Sequence, residues 1–143
     1  MNGATKATPA HFERIRLLSE KELYQQAITF VAENRGVFRD QQINHQLNGL
    51  LNASRSWADL NNFVNNQIKR VWTGRKEDYG TFYNNLKQQL TALAALATEQ
   101  FVANATLTKN QVREQTAVYA GLLAREFIQH LFAEMVWQKE VRQ

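Results

Sequence analysis

Only one proline, Pro9, and six glycines interrupt 143 residues. Proline ends helices, and glycine supplies the left-handed conformations of tight turns, so a chain this poor in both has few places to reverse direction. A sheet needs a reversal every few residues, whereas long helices do not. Apolar residues recur at three- and four-residue intervals along most of the chain, and no two segments alternate as paired strands do. The expectation is an all-α fold, a compact bundle of about five helices with short antiparallel connections. It is read as a single helical domain over residues 1–143, with residues 1–9 flexible.

Local signals place the helices. Phe12, Ile15 and Leu18 open the first, and Leu23, Ala27, Ile28, Phe30 and Val31 continue it, giving a helix near 10–34. Ser19 and Glu22 have the spacing of a capping box, which predicts a break around Ser19. Gly36 suits a left-handed helix end. Asp40 caps a second helix through Ile43, Leu47, Leu50 and Leu51. Ser56, with Asp59 three residues on, starts a third that runs to Gly74 and carries Trp57 and Trp72 on one side. The fourth extends from Asp78 to Asn104. Thr108 and Gln111 form a capping box for the fifth, near 109–140, with Val112, Leu122, Phe127, Leu131 and Met135 along its apolar stripe.

Much chemistry is excluded by what is missing. Without cysteine there are no disulfides, thiolate metal sites or cysteine nucleophiles. The chain has no phosphate loop, no HExxH and no GxSxG. His11, His45 and His130 are scattered. Glu126, His130 and Glu134 share one helix face at four-residue spacing, but bundle metal sites draw carboxylates from several helices, so a solvated face is expected. No catalytic residue, metal or cofactor is assigned. The sequons at Asn52 and Asn104 matter only in a secreted chain and are read as chance. No run approaches the roughly 18 apolar residues of a membrane span, and the opening stretch has no apolar core of a signal peptide. The expected location is cytoplasmic, with no membrane partner.

Charge is unevenly spread. The net charge is +4, yet Arg35 to Lys76 holds seven bases (Arg35, Arg39, Arg55, Lys69, Arg70, Arg75, Lys76) against Asp40 and Asp59, a net +5, leaving −1 for the rest. Four of the bases fall within Lys69–Lys76. Cations at a helix end complement its dipole, which accounts for Lys69 and Arg70 but not for Arg75 and Lys76 beyond the stop. A phosphate backbone is the partner such a segment fits. The seven bases are therefore candidate nucleic-acid-binding residues. Trp72 joins them as a candidate stacking platform, although core packing is the default for such a tryptophan. Asn62, Asn65 and Asn66 add polar groups, and 27 of the residues are Asn or Gln. No base-reading module is present, so binding is expected to follow the backbone and ignore sequence.

The segment Leu107-Thr-Lys-Asn-Gln-Val-Arg113 is similar to the Leu-Thr-x-x-Gln-Ile-Arg opening of a helix in some small subunits of multi-subunit CRISPR–Cas effector complexes, most like those of type III. In those subunits it lies near the N-terminus; here it opens the last helix. Size, basic charge and helical plan also resemble that family. The resemblance implies a non-catalytic protein of antiviral defence that packs in copies along a ribonucleoprotein, beside other effector-complex subunits. It also implies contact with the backbone of a guide RNA and its target nucleic acid, and it adds Arg113 to the candidates. The competing expectation is a helical protein–protein adaptor or inhibitor with no nucleic-acid role.

Overall fold

The structure, a computed structural model, describes residues 8–103 and 106–141, apart from the side chains of Arg75 and Val141. Helix α1 comprises Pro9–Leu18, a π-helical turn at Ser19–Leu23, and Tyr24–Glu33. A single turn, α2 (Arg35–Phe38), follows, then α3 (Ile43–Ala53) and α4 (Trp57–Lys69). A 3₁₀ turn at Gly74–Lys76 leads into α5, which is Glu77–Ala97 prolonged by a second π-helical turn, Thr98–Val102. Helix α6 is Lys109–Val141. No strand occurs among the described residues, so the fold is an all-α compact bundle.

Several of the expected boundaries move. Helix α1 starts at Thr8, whose hydroxyl accepts from the His11 amide at 3.2 Å while the Thr8 N–H donates to His11 Nδ1 at 3.5 Å. Pro9 then occupies the first helical position, where a missing donor costs nothing. Of the expected flexible segment, residues 1–7 lie outside the described residues, while Thr8 and Pro9 are part of the helix start. Ser19 does not break the helix; it enters a π-helical turn, because its hydroxyl is engaged by α6 and leaves the backbone helical.

The end of α1 is set by Asn34 and not by Gly36. Asn34 is buried, its amide donates to the Phe30 carbonyl at 2.9 Å, and its side-chain oxygen accepts from Asn85 at 3.0 Å. Gly36 sits inside α2 with negative φ; among the described residues only Gly74 has positive φ, 63°. Asp40 makes an Asx turn to the Gln42 amide at 2.7 Å, so α3 begins later than an Asp40 cap would give. Ser56 caps α4 as expected, accepting from the Asp59 amide at 3.0 Å. Helix α4 ends at Lys69, short of Gly74, because Arg70 turns extended with ψ 150°. Trp57 and Trp72 therefore do not share a helix. The Thr108–Gln111 box forms in both directions, at 3.0 and 3.2 Å.

Polar pairs report the packing directions. Arg14 meets Gln100, Gln26 meets Gln89 and Asn34 meets Asn85, so α1 and α5 are antiparallel. Lys87 meets Asn65 where α5 packs on α4, and Thr98 meets Thr116 where α5 packs on α6. Phe30, Phe38, Phe82 and Phe127 fill the centre edge-to-face, with ring centroids 5.7–6.5 Å apart. Along α1 the buried positions run Ile15, Leu18, Leu23, Ala27, and along α5 they run Leu90, Leu93, Ala97, Val102. In each helix one step is five residues long, and it spans the π-helical turn. The wider turn keeps the stripe on the core where a regular helix would rotate it away.

Candidate nucleic-acid interface

One end of the bundle collects most of the basic segment. The end of α1, α2, the end of α4 and the start of α5 meet there. Gly36 lies so close to the Asp78 carboxylate that a methyl group on it would clash. A small cleft of about 160 Å³ lies between Arg35, Glu33 and Thr81. Trp72 stacks toward Tyr83 at 6.1 Å and tilts over Tyr79 at 5.3 Å. Arg35, Arg39, Lys69, Arg70 and Lys76 therefore share this end. Arg75 lies in the same 3₁₀ turn, but its side chain is outside the described residues.

Arg55 and Arg113 do not join them. Arg55 is in the α3–α4 turn, a helix of 13 residues away from Lys69, or about 20 Å. Its one ion pair is a loose contact with Asp59 at 3.9 Å. Arg113 is exposed on the first turns of α6, close to where Thr116 meets Thr98, at the far end of α5. The capping box itself accounts for Thr108 and Gln111 in the segment that carries the family resemblance.

Among the described residues Arg35, Arg39, Lys69 and Lys76 are exposed and make no hydrogen bond or ion pair through their side chains. Arg70 is committed: its guanidinium lies 4.4 Å above the Trp72 ring and donates to Gln67 at 3.1 Å. Trp72 is committed too. Its indole N–H donates to the Gln67 carbonyl at 2.8 Å, satisfying an acceptor at the end of α4, and its ring is half-buried against the two tyrosines. The free platform expected of Trp72 is thus a packed cap, available to a base only if Arg70 leaves it.

The acids missed by a window ending at Lys76 also belong here. Glu77 and Asp78 follow directly, at the start of α5, where carboxylates favour the helix dipole. With Glu33 and Asp40 they bring this end to six bases against four acids, well below the segment's +5. Tyr79 is 1% exposed and its hydroxyl has no hydrogen-bond partner among the described residues. Burial, then the nearby Asp40 carboxylate, pushes its pKa above the ordinary phenol value. Burial does the same to Tyr83, whose hydroxyl donates to Gln46.

No family model, curated protein or solved structure matches the chain. The Glu126–His130–Glu134 row is not the solvated face expected of it. The Ser19 hydroxyl, 4% exposed with its residue, donates to Glu126 Oε1 at 2.9 Å and lies 2.7 Å from His130 Nε2, so His130 donates back to it. Tyr24 meets the His130 ring edge-on at 5.6 Å, and Glu134 is buried, accepting from Gln138 at 3.1 Å. Sequence could not show this, because the partner lies 107 residues away on α1. A serine beside a histidine resembles a nucleophile pair, but here its proton goes to Glu126 and the hydroxyl is sealed from substrate. Among the described residues no three metal-ligating side chains converge, and no helix is long and apolar enough to cross a membrane.

Proposed function

We propose that the chain is a non-catalytic helical subunit that contacts a nucleic-acid backbone through the end of the bundle bearing Arg35, Arg39, Lys69 and Lys76. The observation that carries this reading is four exposed cations, unpaired among the described residues, converging from three chain segments. Unpaired cations displace counterions from phosphates without first breaking a protein ion pair. The acids beside them keep the local excess small, which suits a subunit held on nucleic acid by its neighbours better than one that binds alone. The likeness of Leu107–Arg113 to CRISPR–Cas small subunits suggests the assembly: an RNA-guided effector complex in which copies of the chain line the guide–target duplex.

The test is equilibrium binding to mixed-sequence single- and double-stranded RNA and DNA across a salt series. Four phosphate contacts give a log–log salt slope of about −3 to −4. Replacing Arg39, Lys69 and Lys76 with Glu should abolish binding with helix content unchanged, while Arg55→Glu should leave it intact. Undiminished affinity in the triple variant would overturn the assignment. Purification of the tagged chain from its host with a ladder of short RNAs would support the effector-complex reading; recovery with a single protein and no RNA would sink it.

A second reading, the helical adaptor, has one observation in its favour. Val136 and Trp137 on α6 are 45% and 61% exposed, and large side chains left in water at the end of a long helix are typical interface anchors. Trp137→Ala would then remove a protein partner without touching salt-dependent binding.

A further inference from the structure

A largely apolar cleft about one length of α4, roughly 20 Å, from the basic turns has no part in the reading above. It measures about 420 Å³ and lies between the α3–α4 turn and the middle of α6, within the size range of small-molecule sites. Trp57, Val118 and Leu122 supply apolar walls. Gly121 forms part of its floor, where a side chain would press on α4: a Cβ there would lie 3.3 Å from the Trp57 amide nitrogen.

Two guanidinium groups stand at this cleft. Arg125 is exposed and makes no ion pair or hydrogen bond among the described residues. Arg55 is 79% exposed and among the described residues has only the 3.9 Å contact with Asp59, longer than a hydrogen bond. Arg55 comes from the α3–α4 turn and Arg125 from the middle of α6, so their convergence is a product of the fold and not of a charged run in the sequence. Glu126, next to Arg125 in the chain, is turned to Ser19 and does not neutralise it.

We propose that this cleft binds an organic anion: an apolar body of about ten non-hydrogen atoms seated between Trp57 and Leu122, with a carboxylate or phosphate held by Arg55 and Arg125. A neutral apolar molecule would leave both cations in water and gain nothing from them. A bare anion would leave the apolar walls uncovered. Guanidinium forks pair with either headgroup through two parallel hydrogen bonds.

The test is titration of the isotope-labelled chain with octanoate, octyl phosphate, octanol and inorganic phosphate, read at the three tryptophan indole N–H signals. The expected result is a saturable shift of the Trp57 signal, with those of Trp72 and Trp137 unmoved. Octanoate or octyl phosphate should bind at least tenfold more tightly than octanol or inorganic phosphate, and the tighter of the two identifies the headgroup. The double variant Arg55→Gln, Arg125→Gln should lose at least tenfold for that amphiphile while keeping its octanol affinity. Both positions are exposed, so folding is retained. Equal affinity for octanol and the two anions, or unchanged binding in the double variant, would overturn the proposal, as would shifts spread over all three tryptophans.

Discussion

Removing the Tyr79 hydroxyl should make the protein more stable, an uncommon direction for a substitution in a well-packed core. The residue is 1% exposed and its hydroxyl is buried without a partner among the described residues. Such a group lost its water on folding and received nothing in return, a cost of about 1–3 kcal/mol. Tyr79→Phe removes that cost and leaves a void of one oxygen atom, worth a few tenths of a kcal/mol at ~24 cal/mol per Å³. The net gain is about 1–2 kcal/mol. Unfolding entropy scales as ~2.1 cal/mol/K per residue, so over 143 residues the melting temperature should rise by about 3–6 °C. Tyr83→Phe is the control, because its hydroxyl donates to Gln46 and its loss should destabilise by about 1 kcal/mol. The assay is thermal and urea unfolding followed by circular dichroism. Alkaline pH gives a second reading. Burial raises the folded pKa of Tyr79, so its contribution is complete below the unfolded value of about 10 and is lost as pH rises toward the folded one. Tyr79→Phe should therefore flatten the fall in stability above that pH. A variant less stable than wild type by more than 1 kcal/mol would refute the reasoning, because it would mean that the hydroxyl has a partner, such as an ordered water.

Other substitutions test other parts of the fold by the same unfolding assay. Gly74→Ala should cost about 1–2 kcal/mol purely through its left-handed backbone, since nothing lies near an added methyl; Gly74→Asn should cost less. Phe127→Ala should cost about 3–5 kcal/mol, because it empties the space facing Phe30. Ser19→Ala should cost about 1–3 kcal/mol by stranding Glu126 and His130 together. If that substitution is neutral, the two side chains reach water once the hydroxyl has gone.

What could be read in advance was whatever neighbouring residues decide between themselves. The scarcity of proline and glycine, the three-four periodicity, and the caps at Ser56 and Thr108 each depend on residues within one turn, and each led to the correct element. The errors share a cause. Ser19 looked like a cap because its real partners are on α6, and Gly36 looked like a stop because the residue that ends the helix, Asn34, is held by a hydrogen bond from Asn85 on α5. Trp72 read as a late helical residue, whereas it folds back to serve the Gln67 carbonyl. For the candidate site, charge density picked out turns that share one end of the bundle but stopped one residue before Glu77. Linear order also grouped Arg55 with bases from the other end of the bundle. One signal was available and unused: the five-residue steps from Leu18 to Leu23 and from Ala97 to Val102 mark the π-helical turns in the apolar pattern itself.

Those two wide turns also bear on how the chain can tolerate changes in length. Removing one residue from Glu20–Glu22 would shorten the long step to four, the spacing of a regular helix, and leave the residues on either side facing the same way. The same deletion at almost any other point in α1 would rotate everything beyond it by about 100° and turn the stripe off the core. Loss of a single residue is therefore absorbed at Ser19–Leu23 and Thr98–Val102 and penalised in the regular parts of the same helices. Relatives of this chain that are one residue shorter in α1 or α5 should carry the difference at these turns.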